Sequence, residues 1–215
     1  MPVSASRVAS SLRLVGVLIC SPLQAVGSIA ICGSLWYGLA LAYVPVAAGW
    51  VGLAYRPILD VIADRDPPRY ELSAKGAIVS AIGVFAVLLA IAPAHTDRTK
   101  LIALFLASGT LYYAFGKLGC IALGCCRATA PFALRIPLPE FEAAGSAIVS
   151  ALVLASLYGT ARLRVAMFLA VALAFGGLRI LSRCARGARL QRALLQPDSL
   201  VITLVILCAT LVLLI

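Results

Sequence analysis

The sequence predicts an all-α, polytopic membrane protein, with about seven transmembrane helices forming one integral membrane domain over residues 1–215. Three observations predict it. The chain is 63% hydrophobic and only 12% charged, with a mean hydropathy of +1.06, whereas a soluble domain is about half apolar and a quarter charged. The apolar residues form continuous runs near the ~20 residues that carry a helix across the hydrocarbon core. The runs do not show the alternating ten-residue pattern of barrel strands.

The runs are Leu14–Gly33, Leu35–Tyr55, Lys75–Pro93, Leu101–Cys120, Ala144–Thr160, Val165–Ser182 and Ser199–Ile215. Arg7 and Arg13 precede the first, and small residues follow its apolar stretch. Those are also the features of a cleavable signal peptide. The first two runs abut without a polar loop. They are either two helices joined by a tight turn, or one span preceded by an interfacial segment, and the count falls to six if the first segment is interfacial or cleaved.

The formal net charge is +10, carried by fifteen arginines and three lysines. Positive-inside retention and attraction to anionic headgroups account for much of the excess. No basic polar domain exists to bind nucleic acid. Lys75, Lys117 and Arg179 lie at or near the ends of apolar runs. A charge in hydrocarbon is expensive, so such residues snorkel to the interface or face a polar cavity. Arginine suits bidentate phosphate contacts and lysine supplies a point charge, so several of them in one site suggest an anionic phospholipid headgroup. Because the cations cluster at span ends, a transporter with a mid-membrane site at broken helices fits less well.

Gly116 to Arg127 reads GKLGCIALGCCR. Gly116, Gly119 and Gly124 interrupt the end of an apolar run, as in a helix that turns into a loop at the membrane surface. Irregular backbone there must be buried in protein or line a wet cavity. Glycine-mediated helix packing is the competing reading. Cys120, Cys125 and Cys126 share this segment, but zinc needs a fourth ligand, and the one histidine, His95, is distant in sequence. No metal or other cofactor is expected, and the C-x-x-C spacing of a dithiol redox site is absent. The remaining cysteines, Cys20, Cys32, Cys184 and Cys208, read as small hydrophobes.

GKLGCIALGCC resembles the Cys-containing variant of the G-R-x-G-N-F-x-N-G-E loop of the prolipoprotein diacylglyceryl transferases, with Lys117 at the family's essential loop arginine. Three further segments follow the family's order. SAKGAIVSAIG is similar to S-F-H-G-G-L-I-G and places Lys75 at the catalytic histidine. LPEFEAAG is similar to H-P-x-Q-L-Y-E-A and places Glu142 at the glutamate and Phe141 at the tyrosine. FGGLRILSRCAR is similar to Y-G-x-x-R-F-x-x-E-x-x-R and places Arg179 and Arg186 at its two arginines. SLWYGLALA is similar to R-W-Y-G-L-M, with Tyr37 at the functional tyrosine, although the family places a further helix between that motif and the histidine segment. Departures are Lys75 for histidine, Lys117 for arginine, Cys120 for asparagine, Ala128 for glycine, Phe175 for tyrosine, Arg183 for glutamate and Leu35 for arginine.

The resemblance implies a bacterial inner-membrane enzyme. It would move diacylglyceryl from phosphatidylglycerol to the thiol of a lipobox cysteine, with a prolipoprotein signal peptide as partner. It implies catalytic roles for Lys75, Lys117 and Arg179. Tyr37, Gly116, Gly119, Cys120, Gly124, Cys125, Glu142 and Arg186 would bind substrate. A catalytically impaired relative that binds anionic lipid or a membrane partner is the alternative. Topology divides the two lines of argument. The side bearing the N-terminus and the loops at 56–73, 122–143 and 183–198 carries eleven Lys/Arg against four on the other. Charge counting makes that side cytoplasmic, whereas the family's topology makes it periplasmic.

Overall fold

The computed structural model describes residues 3–54, 74–124 and 138–184, without the side chains of 3–6, 53, 74–75, 138, 172–173 and 175–184. Six α-helices account for these residues: α1 (Val3–Cys32), α2 (Leu35–Leu53), α3 (Ala74–Ala90), α4 (Arg98–Ala122), α5 (Leu138–Ser156) and α6 (Ala161–Cys184). Each of the first six apolar runs coincides with one helix; the seventh, Ser199–Ile215, lies outside the described residues. Among the described residues, three helical stretches are long and apolar enough to cross a membrane: Arg7–Cys32, Leu35–Gly52 and Arg98–Ala122, with Gly76–Ala90 a shorter apolar helix. Large apolar side chains such as Leu18, Val26, Trp50, Val87 and Leu152 stand exposed on these helices. Water would penalise that surface, and lipid does not. Among the described residues the protein is all-helical, with the exposed apolar surface of a membrane protein.

The chain divides into two compact units, Ser21–Leu101 and Met1–Cys20 with Ile102–Ile215. Ser21–Leu101 begins with the last turns of α1. Gly33 follows with φ of +65°, the left-handed geometry that ends a helix without Cβ strain. Ser34 then caps α2, its hydroxyl accepting the Tyr37 N–H at 3.4 Å. Two helices joined by a tight turn is therefore the arrangement of the first two runs. Helix α1 starts at Val3, well ahead of its apolar run.

Pro45 sits inside α2. It has no N–H to give the carbonyl four residues back, which belongs to Leu41. Gln24 on α1 supplies the missing donor, its Nε2 reaching the Leu41 carbonyl at 2.8 Å in a buried position. Helices α2 and α3 pack antiparallel along small residues. A Cβ on Gly52 would overlap the Gly76 carbonyl and the Ser80 hydroxyl, and one on Gly49 would lie 3.4 Å from the Ala77 carbonyl. Omitting these Cβ atoms lets the two backbones meet. At the far end the Tyr37 hydroxyl donates to the Leu88 carbonyl, one of the last α3 carbonyls. His95 Nε2 lies 3.3 Å from the Cys32 carbonyl at the end of α1. Asp97 then opens α4, accepting the Lys100 N–H at 3.1 Å and the Thr99 hydroxyl at 2.6 Å.

In the other unit the first half of α1 packs antiparallel on the last turns of α4. A Cβ on Gly16 would lie 2.8 Å from the Phe115 Cβ, and one on Gly119 would lie 3.2 Å from the Ala9 carbonyl. Helix α4 also meets α5, where the buried Ser150 hydroxyl donates to the Ala107 carbonyl at 2.8 Å. Helix α5 ends at Ser156, and Thr160 caps α6 by accepting the Leu163 N–H at 3.3 Å. The buried Arg164 closes that turn, its Nη1 donating to the Gly159 carbonyl at 2.6 Å. Val153, Phe168 and Val171 form apolar core around this hairpin.

The Gln24 contact gives a two-step expectation. Gln24→Leu strands the Leu41 carbonyl and lowers unfolding free energy in mild detergent by about 0.5–2 kcal/mol, the range of hydrogen bonds inside membranes. Pro45→Ala in that background restores an N–H to the same carbonyl and recovers most of the loss. A double-mutant cycle with no coupling between positions 24 and 45 would refute the pairing.

Candidate functional site

The chemistry-bearing residues that the structure brings together lie on α4 and α5. Leu138–Gly145, read from the sequence as a motif, forms the first turns of α5. Pro139 is tolerated there because early helical N–H groups have no intrahelical acceptor. Glu142 therefore projects from a rigid helix. On α4, Lys117 lies one turn after Tyr113 and one turn before Ile121.

Lys117 and Glu142 form a direct ion pair. The Glu142 side chain is 2% exposed and that of Lys117 15%. The Lys117 ammonium also lies over the Tyr113 ring, 5.2 Å from its centroid, within cation–π range. One turn beyond Glu142, the Ser146 hydroxyl donates to the Glu142 carbonyl at 2.7 Å. Ser108, Thr110, Ser146 and Ser150 continue as buried hydroxyls along these two helices, bonding backbone carbonyls on α4 or α5. Two polar contacts thus cross between α4 and α5, the Ser150 hydroxyl to the Ala107 carbonyl and the Lys117–Glu142 pair near the end of α4.

A buried pair of this kind loses hydration on both ions, and the mutual attraction offsets that loss only while both partners remain. Lys117 is held in place but is also largely neutralised. Its ammonium has three donors. With Glu142 and the Tyr113 side chain each taking one, one is left for a phosphate oxygen, and Glu142 repels that anion. The site holds a positioned hydrogen-bond donor more than a free positive charge.

The other candidate residues are distributed as follows. Gly116, Gly119 and Cys120 occupy the last turns of α4. Gly124 follows with φ of +61°, its N–H bonding the Ile121 carbonyl at 2.9 Å. The helix ends where the sequence indicated, and it runs through Gly116 and Gly119 first. These two glycines differ. A Cβ on Gly116 would meet nothing within 4 Å, whereas Gly119 faces α1. Helix packing therefore accounts for Gly119. Tyr37 belongs to the Ser21–Leu101 unit, where its hydroxyl donates to a helix-end carbonyl. Lys75 lies in the first turn of α3 and Arg179 on α6, and both side chains lie outside those described. Cys125 and Arg186 lie outside the described residues. No group of three or more His, Cys, Asp or Glu side chains is arranged for a metal among the described residues. Tyr113, Ser146 and Ser150 were missed in the sequence, although their spacings of four and eight residues from Lys117 and Glu142 carry the signal.

Two expectations follow from this geometry. Lys117→Met or Glu142→Leu alone leaves an uncompensated buried charge and costs about 3–5 kcal/mol; the double variant is more stable than either, as read by unfolding in detergent. If the double variant is the least stable of the three, the pair is not buried as described. Gly119→Ala lowers the melting temperature by separating α1 from α4, while Gly116→Ala leaves it unchanged. Equal shifts for the two would contradict the packing.

No family model, no curated protein and no solved structure matches the chain.

Proposed function

We propose that the chain is a multi-pass protein of the bacterial inner (plasma) membrane with about seven spans. In this reading it transfers diacylglyceryl from phosphatidylglycerol to a lipobox cysteine thiol, as the prolipoprotein diacylglyceryl transferases do. One observation carries the reading. Lys117 and Glu142 come from two separate motifs that the sequence resemblance aligns with the family, and they are in direct contact.

In the transfer, the acceptor thiolate attacks the glyceryl carbon. A C–S bond forms, the C–O bond to phosphate breaks, and glycerol phosphate leaves with the electron pair. Lys117 donates a charge-assisted hydrogen bond to the phosphate, and Arg179 takes the second phosphate contact. Lys75 accepts the thiol proton if its site depresses its basicity; in its charged form it is a further phosphate contact. Phe175 has no hydroxyl to donate where the family has tyrosine.

A second reading is a catalytically impaired relative that binds anionic lipid. The neutralisation of Lys117 by Glu142 favours it, because a paired lysine is a weaker anchor for a leaving phosphate than a free arginine.

Expression in a transferase-depleted bacterial strain separates the two. Under the first reading the parent chain restores growth and lipoprotein modification, and Arg179→Ala and Lys117→Ala abolish the rescue. An inserted, stable parent chain that fails to rescue excludes transfer and leaves the lipid-binding reading, which phosphatidylglycerol binding to purified protein then tests.

A further inference from the structure

Glu142 has no way out of its contact with Lys117. It projects from the first turns of α5, and its side chain is 2% exposed against 15% for its partner. A ligand therefore reaches the pair from the lysine side, with the carboxylate behind. The ammonium also lies over the Tyr113 ring. Beside it, Gly116 leaves open space, since a Cβ there would meet nothing within 4 Å.

The charged and titratable groups around the pair are few. On α4 they are Tyr113 and, three residues beyond Lys117, Cys120. On α5 the nearest is Glu140, which is exposed. From α1, Arg13 reaches α4 at Gly119, two residues from Lys117 and so roughly 200° round the helix. On α6 the side chains of 175–184 lie outside those described. Among the described residues Lys117 is the one cation paired with Glu142.

An anion arriving at Lys117 puts two negative charges on one ammonium in a largely dry site. Three outcomes are physically open. The carboxylate could swing into water, but its backbone is helical and its side chain is buried. The anion could stay out, which is the resting condition of the pair. Or a proton could neutralise the carboxylate, as happens when two like charges share one site.

We infer that a phosphate diester binds at Lys117 only together with one proton, which Glu142 takes up. Until then Glu142 is a built-in competitor for the ammonium. One carboxylate oxygen gains the O–H bond and no covalent bond breaks. The neutral carboxyl still accepts from Lys117, while its repulsion of the anion is gone. The complex holds one proton more than the free protein, so falling pH favours binding. This inference rests on the reading that Lys117 meets a headgroup phosphate, and it does not need diacylglyceryl transfer.

The test uses the full chain purified in a neutral detergent, with short-chain phosphatidylglycerol and, separately, its deacylated headgroup, glycerophosphoglycerol. Both are diesters whose own charge is constant near neutral pH. Isothermal titration in two buffers of different protonation enthalpy counts the protons taken up. The expected result is about one proton per bound anion, with affinity rising roughly tenfold for each pH unit lowered over the range of uptake. Glu142→Gln keeps an acceptor for Lys117 without the charge, so it binds more tightly than the parent at neutral pH and takes up no proton. The Lys117→Met/Glu142→Leu double variant, with neither charge of the pair, no longer binds. Uptake with phosphatidylglycerol alone identifies a lipid ligand, and uptake with both shows that the diester headgroup suffices. Binding that is lost in the double variant yet takes up no proton overturns the inference and leaves the Lys117–phosphate contact standing. Binding retained in the double variant, or absent from the parent at every pH, overturns both. If Glu142→Gln does not fold, the proton count on the parent chain decides alone. Strain rescue reports transfer separately.

Discussion

The Leu41 carbonyl illustrates the constraint on which the rest of the structure depends. In hydrocarbon there is no water to accept or donate a hydrogen bond, so each backbone group must find its partner within the protein. Pro45 breaks that rule at Leu41, and Gln24 repairs it from another helix. The same demand appears at helix ends. Tyr37 donates to the Leu88 carbonyl, and Arg164 to the Gly159 carbonyl. His95 stands against the Cys32 carbonyl. Polar side chains in this protein are therefore committed first to backbone satisfaction, and a functional role must be sought among those left over.

That ordering changes how Tyr37 and Lys117 are read. By sequence alone both are polar groups in apolar surroundings, and both invite a catalytic assignment. Tyr37 uses its one donor on a backbone carbonyl, which leaves its oxygen as an acceptor only. Lys117 meets a carboxylate buried more deeply than itself. A lysine so paired costs less to hold in the membrane, yet gives less to a phosphate. Stability and anion binding thus pull on the same ammonium in opposite directions. Lysine sharpens the conflict, because it lacks the second arm with which a guanidinium can serve two anions at once.

Much of the fold was legible because apolar run length maps directly onto helix length. The glycine and serine between Cys32 and Leu35 were enough to join two helices, through a left-handed residue and a hydroxyl cap. Gly124 marked the end of α4 for the same reason. Less legible was whatever depended on partners distant in the chain. The sequence shows that Gly116 and Gly119 lack a Cβ but not which one has a neighbour where the Cβ would be. It placed the Leu138–Gly145 motif ahead of an apolar run, whereas the helix begins at Leu138 itself, since its early carboxylates interrupt hydropathy and not helical geometry. The start of α1 was hidden similarly, because polar and small residues before Leu14 propagate a helix as well as apolar ones do.

The two topology arguments conflict only if every arginine is counted as an orientation signal. Positive-inside counting treats cations near span ends as interchangeable and unbound. Arg164, one of the four on the minority side, departs from that assumption, being buried against a backbone carbonyl, so setting it aside widens the imbalance. Each such residue carries its charge for a local reason, and local reasons hold on either side of the membrane. The excess of eleven over four would lose weight as evidence of orientation only if the majority cations also had local partners, as they would if that face carried a site for lipid phosphate.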